Sequence, residues 1–282
     1  MKIVTSPVEM QSIAQGLRMQ GLRIGLVPTM GWFHEGHLSL MRKAKENSDR
    51  VITTLFVNPI QFGPDEDLES YPHDLQRDCK LAESCGVDIL YAPDREIMYS
   101  HGFSSNVHVS NLTDGLCGAS RPGHFDGVTT VLAKLFNQTL PHVAVFGQKD
   151  FQQLAVIRRM VQDLDYPIEI VGHPIVREVS GLAMSSRNTY LREEEMDAAL
   201  SLSKGVAMAR ELARKEKKSV VIIQSVKELI AKHPECSIDY IEIVNGSSLS
   251  NCDIVDAESQ ILLAVKINDR IRLLDNSQLL GN

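Results

Sequence analysis

Apolar runs alternate with amphipathic segments through residues 1–175 of the chain. Short, almost wholly apolar runs predict buried strands, and apolar residues at helical spacing between them predict helices. The predicted strands are 24–29, 51–58, 87–92, 142–147 and 168–171. The predicted helices are 36–47, 75–85, 127–140 and 150–163. Apolar strands that alternate with helices indicate a parallel sheet covered on both faces.

The pattern changes after Gly181. A stretch rich in Ala, Glu and Lys predicts a helix at 193–217, a second helix is predicted at 220–232, and three β-like runs follow. These runs are 238–244, 260–265 and 270–274. Helices followed by a small antiparallel sheet are typical of a separate α+β unit. The sequence therefore predicts an α/β domain over residues 1–181 and a smaller α+β domain over residues 182–282.

The composition is that of an ordinary soluble globular protein, with 43% apolar and 23% charged residues among 282. A formal charge of -7 argues against nucleic-acid binding, which needs a basic face. No apolar run approaches the roughly 18 residues of a membrane span. The five cysteines have no C-x-x-C spacing and are expected to be reduced thiols. We expect a cytoplasmic protein without nucleic-acid or membrane partners.

Residues 28–37, PTMGWFHEGH, join the first predicted strand to the first predicted helix. His34 and His37 are three apart, which places both imidazoles on one face of the helix start, beside unpaired N–H groups. Gly31 and Gly36 permit a tight turn. These donors suit a polyphosphate, although two ordinary surface histidines would have the same spacing. A metal pair is disfavoured because no third ligand lies at a supporting spacing.

Residues 181–188, GLAMSSRN, place two hydroxyls and a guanidinium in one loop, a combination that binds phosphate but also occurs in ordinary turns. An H-x-G-H turn after the first strand and a Met-Ser-Ser-Arg loop after the last resemble the paired signatures of the nucleotidyltransferase superfamily, which bracket the triphosphate of ATP. The chain has no G-x-x-x-x-G-K-[ST] loop, and no G-x-G-x-x-G follows a strand. P-loop and dinucleotide folds are therefore disfavoured.

Three more polar segments lie at predicted strand ends or helix starts: FVNPIQF at 56–62, RPGHFDGV at 121–128 and FGQKDFQQ at 146–153. Taken singly, each is also an ordinary loop with capping residues. Ligands of open α/β sheets bind beyond the carboxyl ends of the strands, so we expect the three segments to meet at one edge.

Together, the five segments resemble the pantothenate synthetase family through the N-terminal domain and into the domain junction. The resemblance implies a Rossmann-like catalytic domain with a smaller, lid-like C-terminal domain, in a homodimer. It also implies a reaction in which ATP, with Mg²⁺, activates pantoate as its adenylate. β-Alanine then takes up the pantoyl group, giving pantothenate, AMP and pyrophosphate.

The resemblance implies roles residue by residue. ATP contacts are expected from Met30, Gly31, Trp32, Phe33, His34, Glu35, Gly36, His37, Gly147, Gln148, Lys149, Asp150, Val176, Met184, Ser185, Ser186 and Arg187. Catalytic roles fall to His34, His37, Lys149 and Arg187, with His37 as proton donor and Lys149 beside the α-phosphate. Pantoate or β-alanine contacts are expected from Gln61, Gln153, Asn58, Arg121 and His124. Asp78 is expected to be associated with Mg²⁺.

Three places depart from the family pattern. Trp32 and Phe33 stand where a small residue and a leucine are usual, which predicts a reshaped wall of the nucleotide pocket. His73 replaces an arginine and removes a permanent positive charge. Ser180 replaces an acidic residue before Gly181.

Two other functions fit the motifs. One is a nucleotidylyltransferase that charges a phosphorylated acceptor, but the neutral pair Gln61 and Gln153 favours a small hydroxy acid. The other is a nucleotide-binding sensor without chemistry. Lys149 and the two histidines argue against the sensor, because a pure binder has no transition state to stabilise.

Overall fold

The computed structural model describes residues 1–64 and 66–280, and its larger sheet has six parallel strands. The strands are β1 (Lys2–Val4), β2 (Ile24–Val27), β3 (Arg50–Thr54), β4 (Ile89–Tyr91), β5 (Val143–Gly147) and β6 (Glu169–His173). The accompanying helices are α1 (Pro7–Met19), α2 (Glu35–Glu46), α3 (Leu75–Ser84), α4 (Arg95–Met98), α5 (Cys117–Ser120), α6 (His124–Thr139) and α7 (Phe151–Asp163). The predicted parallel α/β sheet is confirmed.

The strand order β1-β4-β3-β2-β5-β6 reverses direction beside β2. From β2 the chain moves outward through β3 to β4, whereas β5 pairs with the other edge of β2 and leads to β6. Ligands of open α/β sheets bind in the crevice at such a switch point, outside the carboxyl ends of the strands. The topology therefore points to the ends of β2 and β5 as the position of a site.

Side chains of the central strand alternate between two buried clusters. Leu26 lies in the cluster that contains Phe136 of α6, and Val27 lies in the cluster that contains Met41 of α2. Both faces of β2 are therefore buried, which explains why its four residues are all apolar or glycine. Helices cover both sides of the sheet, as the apolar runs predicted.

The second part of the chain packs two helices against an antiparallel sheet of strand order β7-β8-β9. Its elements are α8 (Met196–Ala213), α9 (Ser219–Ile230), β7 (Cys236–Asn245), β8 (Ser259–Ile267) and β9 (Ile271–Gln278). Its hydrophobic cluster begins at Leu182, and on that basis we propose residue 182 as the start of a domain. None of the helices within the described ranges is long and apolar enough to cross a membrane.

Strand β1 and helix α1 precede the first predicted element and were missed. The helix has recognisable start signals: Ser6 accepts the N–H of Glu9 at 3.4 Å, and Pro7 occupies the first helical position. Its buried stripe is narrow, however, and consists of Met10 and Ala14. Hydrophobic periodicity alone therefore gives a weak signal for α1.

Candidate active site

A cleft of about 250 Å³ lies where β2 and β5 end. Residues from all five sequence segments line it. The expected site residues among them are Met30, His34, Gly36, His37, Asn58, Gln61, Arg121, His124, Gly147, Lys149, Asp150, Gln153, Val176, Met184, Ser185, Ser186 and Arg187. The structure thus brings residues as far apart in sequence as Met30 and Arg187 to one cavity.

The histidines of the H-x-G-H turn are held by the first turn of α2. Nδ1 of His34 accepts the N–H of Gly36 at 3.1 Å, and Nδ1 of His37 accepts the N–H of His34 at 3.3 Å. The two ring centroids are 4.1 Å apart. An accepting Nδ1 carries no proton, so a neutral ring has its proton on Nε2. Each histidine therefore keeps one N–H donor that the turn does not use.

Burial, with nearby positive charges, keeps both histidines neutral. Burial, followed by the charges of Lys149 and Arg77, lowers the pKa of His34 to about 4. Burial also lowers the pKa of His37 well below its usual range, and His34 and Lys149 add to the effect. Lys149 lines the same cleft, and its Nζ lies 3.6 Å from Oδ1 of Asp150. At pH 7 the turn therefore offers neutral donors beside a lysine cation.

Six backbone N–H groups of the turn donate to acceptors within the protein. Their acceptors are Thr29 for Gly31, Asp78 for Trp32 and Phe33, His37 for His34, and His34 for Gly36 and His37. The expectation that unpaired amides would bind phosphate is wrong for these six groups, because the residues that fold the turn also satisfy it. The Nε2–H groups of His34 and His37 are donors that the turn does not use.

Gly36 is required for this arrangement. A Cβ atom at this position would lie 2.8 Å from Cε1 and 2.9 Å from Nδ1 of His34. A side chain would therefore push the His34 ring away from the helix start.

Asp78 lies on α3 beneath the turn, not in the cleft. Its buried carboxylate accepts the N–H of Trp32 at 2.7 Å and the N–H of Phe33 at 2.8 Å, and Arg77 donates to it at 3.2 Å. Burial raises the pKa of the carboxyl group, while these bonds oppose that rise. Because both oxygens are bound to the protein, we interpret Asp78 as the anchor of the turn. This corrects the metal role that the resemblance implied.

Five residues expected to contact ATP lie outside the cleft lining: Gly31, Trp32, Phe33, Glu35 and Gln148. Phe33 is a fully buried core residue, and the ring of Trp32 stacks on the Arg77 guanidinium, 4.7 Å from the ring centroid. Glu35 pairs with Arg42. Trp32 and Phe33 therefore support the turn from behind, which corrects the expectation that they reshape the pocket wall.

On the opposite side of the cleft, Asn58 holds Gln61 in place. Nδ2 of the buried Asn58 donates to Oε1 of Gln61 and to the Gly127 carbonyl, both at 3.0 Å, while Oδ1 accepts the Tyr99 hydroxyl at 2.7 Å. A Cβ on Gly127 would lie 2.6 Å from the Gln61 nitrogen, so glycine permits this close approach. Asn58 thus orients Gln61. Tyr99 and Gly127 lay outside the sequence prediction because their roles depend on tertiary contacts.

Arg121 and His124 form a linked pair beside Gln61. Nδ1 of His124 donates to the Gln61 carbonyl at 2.8 Å, which leaves Nε2 to accept from Arg121 at 2.9 Å. Burial, with the charge of Arg121, lowers the pKa of His124 to about 4, so this ring is neutral too. Arg121 also binds both oxygens of Glu66 at 2.6 Å.

Arg187 has a similar carboxylate partner. Its Nε and Nη2 bind Asp67 at 3.0 and 2.6 Å, and the Arg187 N–H donates to the Ser185 hydroxyl at 3.3 Å. The pair uses two of the five guanidinium donors. A phosphate bound at Arg187 would therefore share the cation with Asp67 or replace Asp67.

The remaining departures lie beside the cleft and do not line it. Nδ1 of His73 is 3.4 Å from the Tyr71 carbonyl, and the Ser180 hydroxyl accepts the Leu182 N–H at 3.4 Å. Tyr71 itself is buried and lines the cleft, a position the sequence analysis missed.

Residues 2–278 match the family model described as pantoate-beta-alanine ligase. The chain belongs to the pantoate-beta-alanine ligase family. A pantothenate synthetase from Heliobacterium modesticaldum is 53% identical over 277 residues, which are 98% of each chain. Among solved structures, pantothenate synthetase from Thermus thermophilus has a TM-score of 0.94 at 40% identity, covering 100% of both chains. The pantoate-beta-alanine ligase from Francisella tularensis, solved in complex with "Beta-gamma ATP and Beta-alanine", has a TM-score of 0.81 at 31% identity, covering 100% of this chain and 99% of that one.

Proposed function

We propose that the chain condenses (R)-pantoate with β-alanine at the expense of ATP, through a pantoyl-adenylate, to give pantothenate, AMP and pyrophosphate. One observation carries the proposal. The cleft at the β2–β5 switch point gathers the H-x-G-H histidines, Lys149, and the amides of Gln61 and Gln153 around one cavity. Donors and a cation suit a triphosphate, and neutral amides suit a small hydroxy acid. Membership of the ligase family supports the same reaction.

The first step is attack of a pantoate carboxylate oxygen on the α-phosphorus of ATP. The bond from that phosphorus to the bridging oxygen breaks, and pyrophosphate leaves. The nucleophile needs no base, because a carboxylate is already ionised at pH 7. We assign the Nε2–H donors of His34 and His37, with the charges of Lys149 and Arg187, to stabilising the phosphate oxygens in the transition state.

In the second step the neutral amine of β-alanine attacks the carbonyl carbon of the adenylate. The carbon–oxygen bond to the phosphate breaks, so AMP leaves with an oxygen that came from pantoate, and the amine loses a proton as the amide forms. We assign Gln61 and Gln153 to holding the pantoyl group. Asn58 and His124 orient Gln61 through the contacts described above.

Magnesium is part of the same proposal. Within residues 1–64 and 66–280, no group of three His, Cys, Asp or Glu side chains is arranged to hold a metal ion. Mg²⁺ on a nucleotide needs no such cage, since phosphates and waters supply most of its ligands beside one or two carboxylates. Asp150 is the carboxylate among the described cleft-lining residues. When bound, the ion would neutralise charge on the polyphosphate.

We also propose a cytoplasmic homodimer in which residues 182–282 act as a lid. The family resemblance supports these features. Light scattering over a range of concentrations would test the dimer.

The function is tested by incubating the protein with ATP and (R)-pantoate, with and without β-alanine, and measuring all products. We expect pyrophosphate without β-alanine, limited to about one equivalent of sites while the adenylate stays bound, and then equal amounts of pantothenate, AMP and pyrophosphate once β-alanine is added. Turnover with a phosphorylated acceptor instead would indicate a nucleotidylyltransferase. No pyrophosphate under any condition would indicate a nucleotide sensor.

A further inference from the structure

The antiparallel sheet reaches the Lys149 segment through Asn276 on β9. This side chain is 4% exposed, and its Nδ2 donates to the carbonyl oxygens of Gln148 at 3.0 Å and Lys149 at 2.8 Å. Its Oδ1 accepts from Nε2 of Gln260 on β8 at 3.0 Å. Both ends of the amide are therefore engaged, which fixes its orientation.

The two carbonyls belong to a short connection between β5, which ends at Gly147, and α7, which begins at Phe151. The parallel sheet holds this connection from one side, where the Gln148 N–H donates to the His173 carbonyl at 2.8 Å. Asn276 holds it from the other. The backbone that carries the Lys149 side chain is thus clamped between the two sheets.

The preceding residue of β9 holds a second segment of the site. Asp275 is 2% exposed and binds Arg177 through two bonds of 2.7 Å. Arg177 also donates to the Gly181 carbonyl at 3.1 Å. The chain from Arg177 through Gly181 leads directly to Arg187. Two neighbouring residues of β9 therefore support two of the segments that carry cationic side chains of the cleft.

We propose that Asn276 is a positioning residue for Lys149 in the adenylation step. Its amide donates to both carbonyls and so fixes the backbone of residues 148–149. That backbone in turn determines where the ammonium group of Lys149 lies. The inference rests on the proposed function. A cavity of about 40 Å³ borders Lys149 and Asn276, so removal of the amide gives the segment room to shift. A displacement of about 1 Å at a reacting centre costs about 10²-fold in rate.

The first test is Asn276→Ala, assayed by single-turnover pyrophosphate release with saturating ATP and pantoate. We expect the rate to fall by about 10- to 100-fold, while the dissociation constant of a non-hydrolysable ATP analogue changes by less than about threefold. Asn276→Asp places carboxylate oxygens against two carbonyl oxygens, so its rate should fall at least as far. Nucleotide binding weakened as much as the rate would overturn the proposal.

The matched control is Asn245→Ala. Asn245 lies at the end of β7 in the same sheet, and its side chain binds Glu258 and the N–H groups of Ser247 and Ser248. The substitution therefore removes a comparable set of hydrogen bonds from the same sheet, none of which involves the backbone of residues 148–149 or a residue that lines the cleft. We expect a lower melting temperature with an unchanged rate. If Asn245→Ala slows adenylation as much as Asn276→Ala, the effect is general destabilisation and the proposal fails.

A double-mutant cycle asks whether Asn276 acts through Lys149. In a Lys149→Ala background, Asn276→Ala should lower the remaining rate by no more than about twofold, because coupled residues are not additive. If Asn276→Ala lowers the rate by the same factor in the Lys149→Ala background as in the wild type, the two residues are not coupled and the proposal is refuted.

A readout independent of activity separates this proposal from the proposed function. The rate at which an amine-specific acylating reagent modifies Lys149 is measured by peptide mass spectrometry. It should rise in Asn276→Ala and stay at the wild-type value in Asn245→Ala, even if the wild-type protein releases no pyrophosphate. Equal modification of Lys149 in all three proteins would contradict the positioning role.

Discussion

The two sheets contribute to the same site in different ways. The parallel sheet ends in side chains that face the cleft, among them Lys149 after β5, whereas none of the described lining residues comes from β7, β8 or β9. The antiparallel sheet instead binds groups behind these side chains. Asn276 donates to the Lys149 carbonyl, and Asp275 accepts from Arg177. For Lys149, the reactive side chain and one of its supports therefore belong to different sheets. We therefore expect loss of a cleft side chain to lower the rate directly. Loss of a support should lower the stability, or lower the rate through a cleft residue.

The largest effect is expected at Lys149. Lys149→Ala removes the cation beside the phosphates and should lower the rate of adenylate formation by about 10²–10³-fold or more, the cost of losing one well-placed donor. Single-turnover pyrophosphate release measures this rate. Lys227→Ala, an exposed position on α9, is the control and should leave the rate unchanged. Near-normal turnover in a folded Lys149→Ala variant would remove Lys149 from the mechanism.

On the side of the antiparallel sheet, Asp275→Ala should act mainly on stability. It leaves the partly buried Arg177 without its carboxylate, which we expect to lower the free energy of unfolding by roughly 3 kcal/mol. Chemical denaturation measures the change. Asp163→Ala breaks an exposed arginine–aspartate pair that solvent screens, so it should lower the free energy of unfolding far less than Asp275→Ala does. Equal costs for the two variants would contradict the supporting role of β9.

A smaller loss of stability is expected from Asp78→Asn, which replaces one acceptor of the turn with a donor. We expect the free energy of unfolding to fall by roughly 2 kcal/mol, as for the loss of a hydrogen bond to a charged group. The Mg²⁺ concentration for half-maximal activity should not change. Unchanged stability with a raised Mg²⁺ requirement would restore Asp78 as a metal ligand.

The smallest effect, when measured between pH 7 and pH 6, is a pH dependence of stability. In the folded protein the pKa values of His34 and His124 are lowered to about 4 from an ordinary value near 6.5. The unfolded chain therefore takes up protons between these values that the folded protein does not, so stability should be complete above about pH 6.5 and decline as the pH falls towards 4. Thermal melts measure the slope, which His34→Gln should reduce. A slope that His34→Gln does not alter would show that the His34 pKa is not lowered.

Local patterns predicted the parallel sheet and the edge at which the polar segments meet, whereas the individual residues expected at the cleft came from the family resemblance. The apolar strands mark the sheet, and the polar residues Gln61, Lys149 and Gln153 stand directly after strands or at helix starts. Once the strands are parallel, their carboxyl ends must share one edge. The edge that holds the site then follows from the sequence, whereas its position beside β2 and β5 depends on the strand order.

The supports of the site could not be obtained in the same way. Asn276 contacts the Lys149 carbonyl across 127 positions of sequence, and nothing in its neighbourhood distinguishes it from other strand residues. Asp78 carries a side chain typical of metal ligands, but tertiary burial directs it to two backbone N–H groups. The amides of His34, Gly36 and His37 look unpaired in sequence because their acceptors are the histidines themselves.

The most direct test of adenylate formation in this cleft is the fate of the pantoate oxygen. Pantoate labelled with ¹⁸O in its carboxylate is converted in the presence of ATP and β-alanine, and the AMP is examined by mass spectrometry. Attack on the α-phosphorus predicts one ¹⁸O atom in each AMP formed. AMP without the label, or label in inorganic phosphate, would contradict the account.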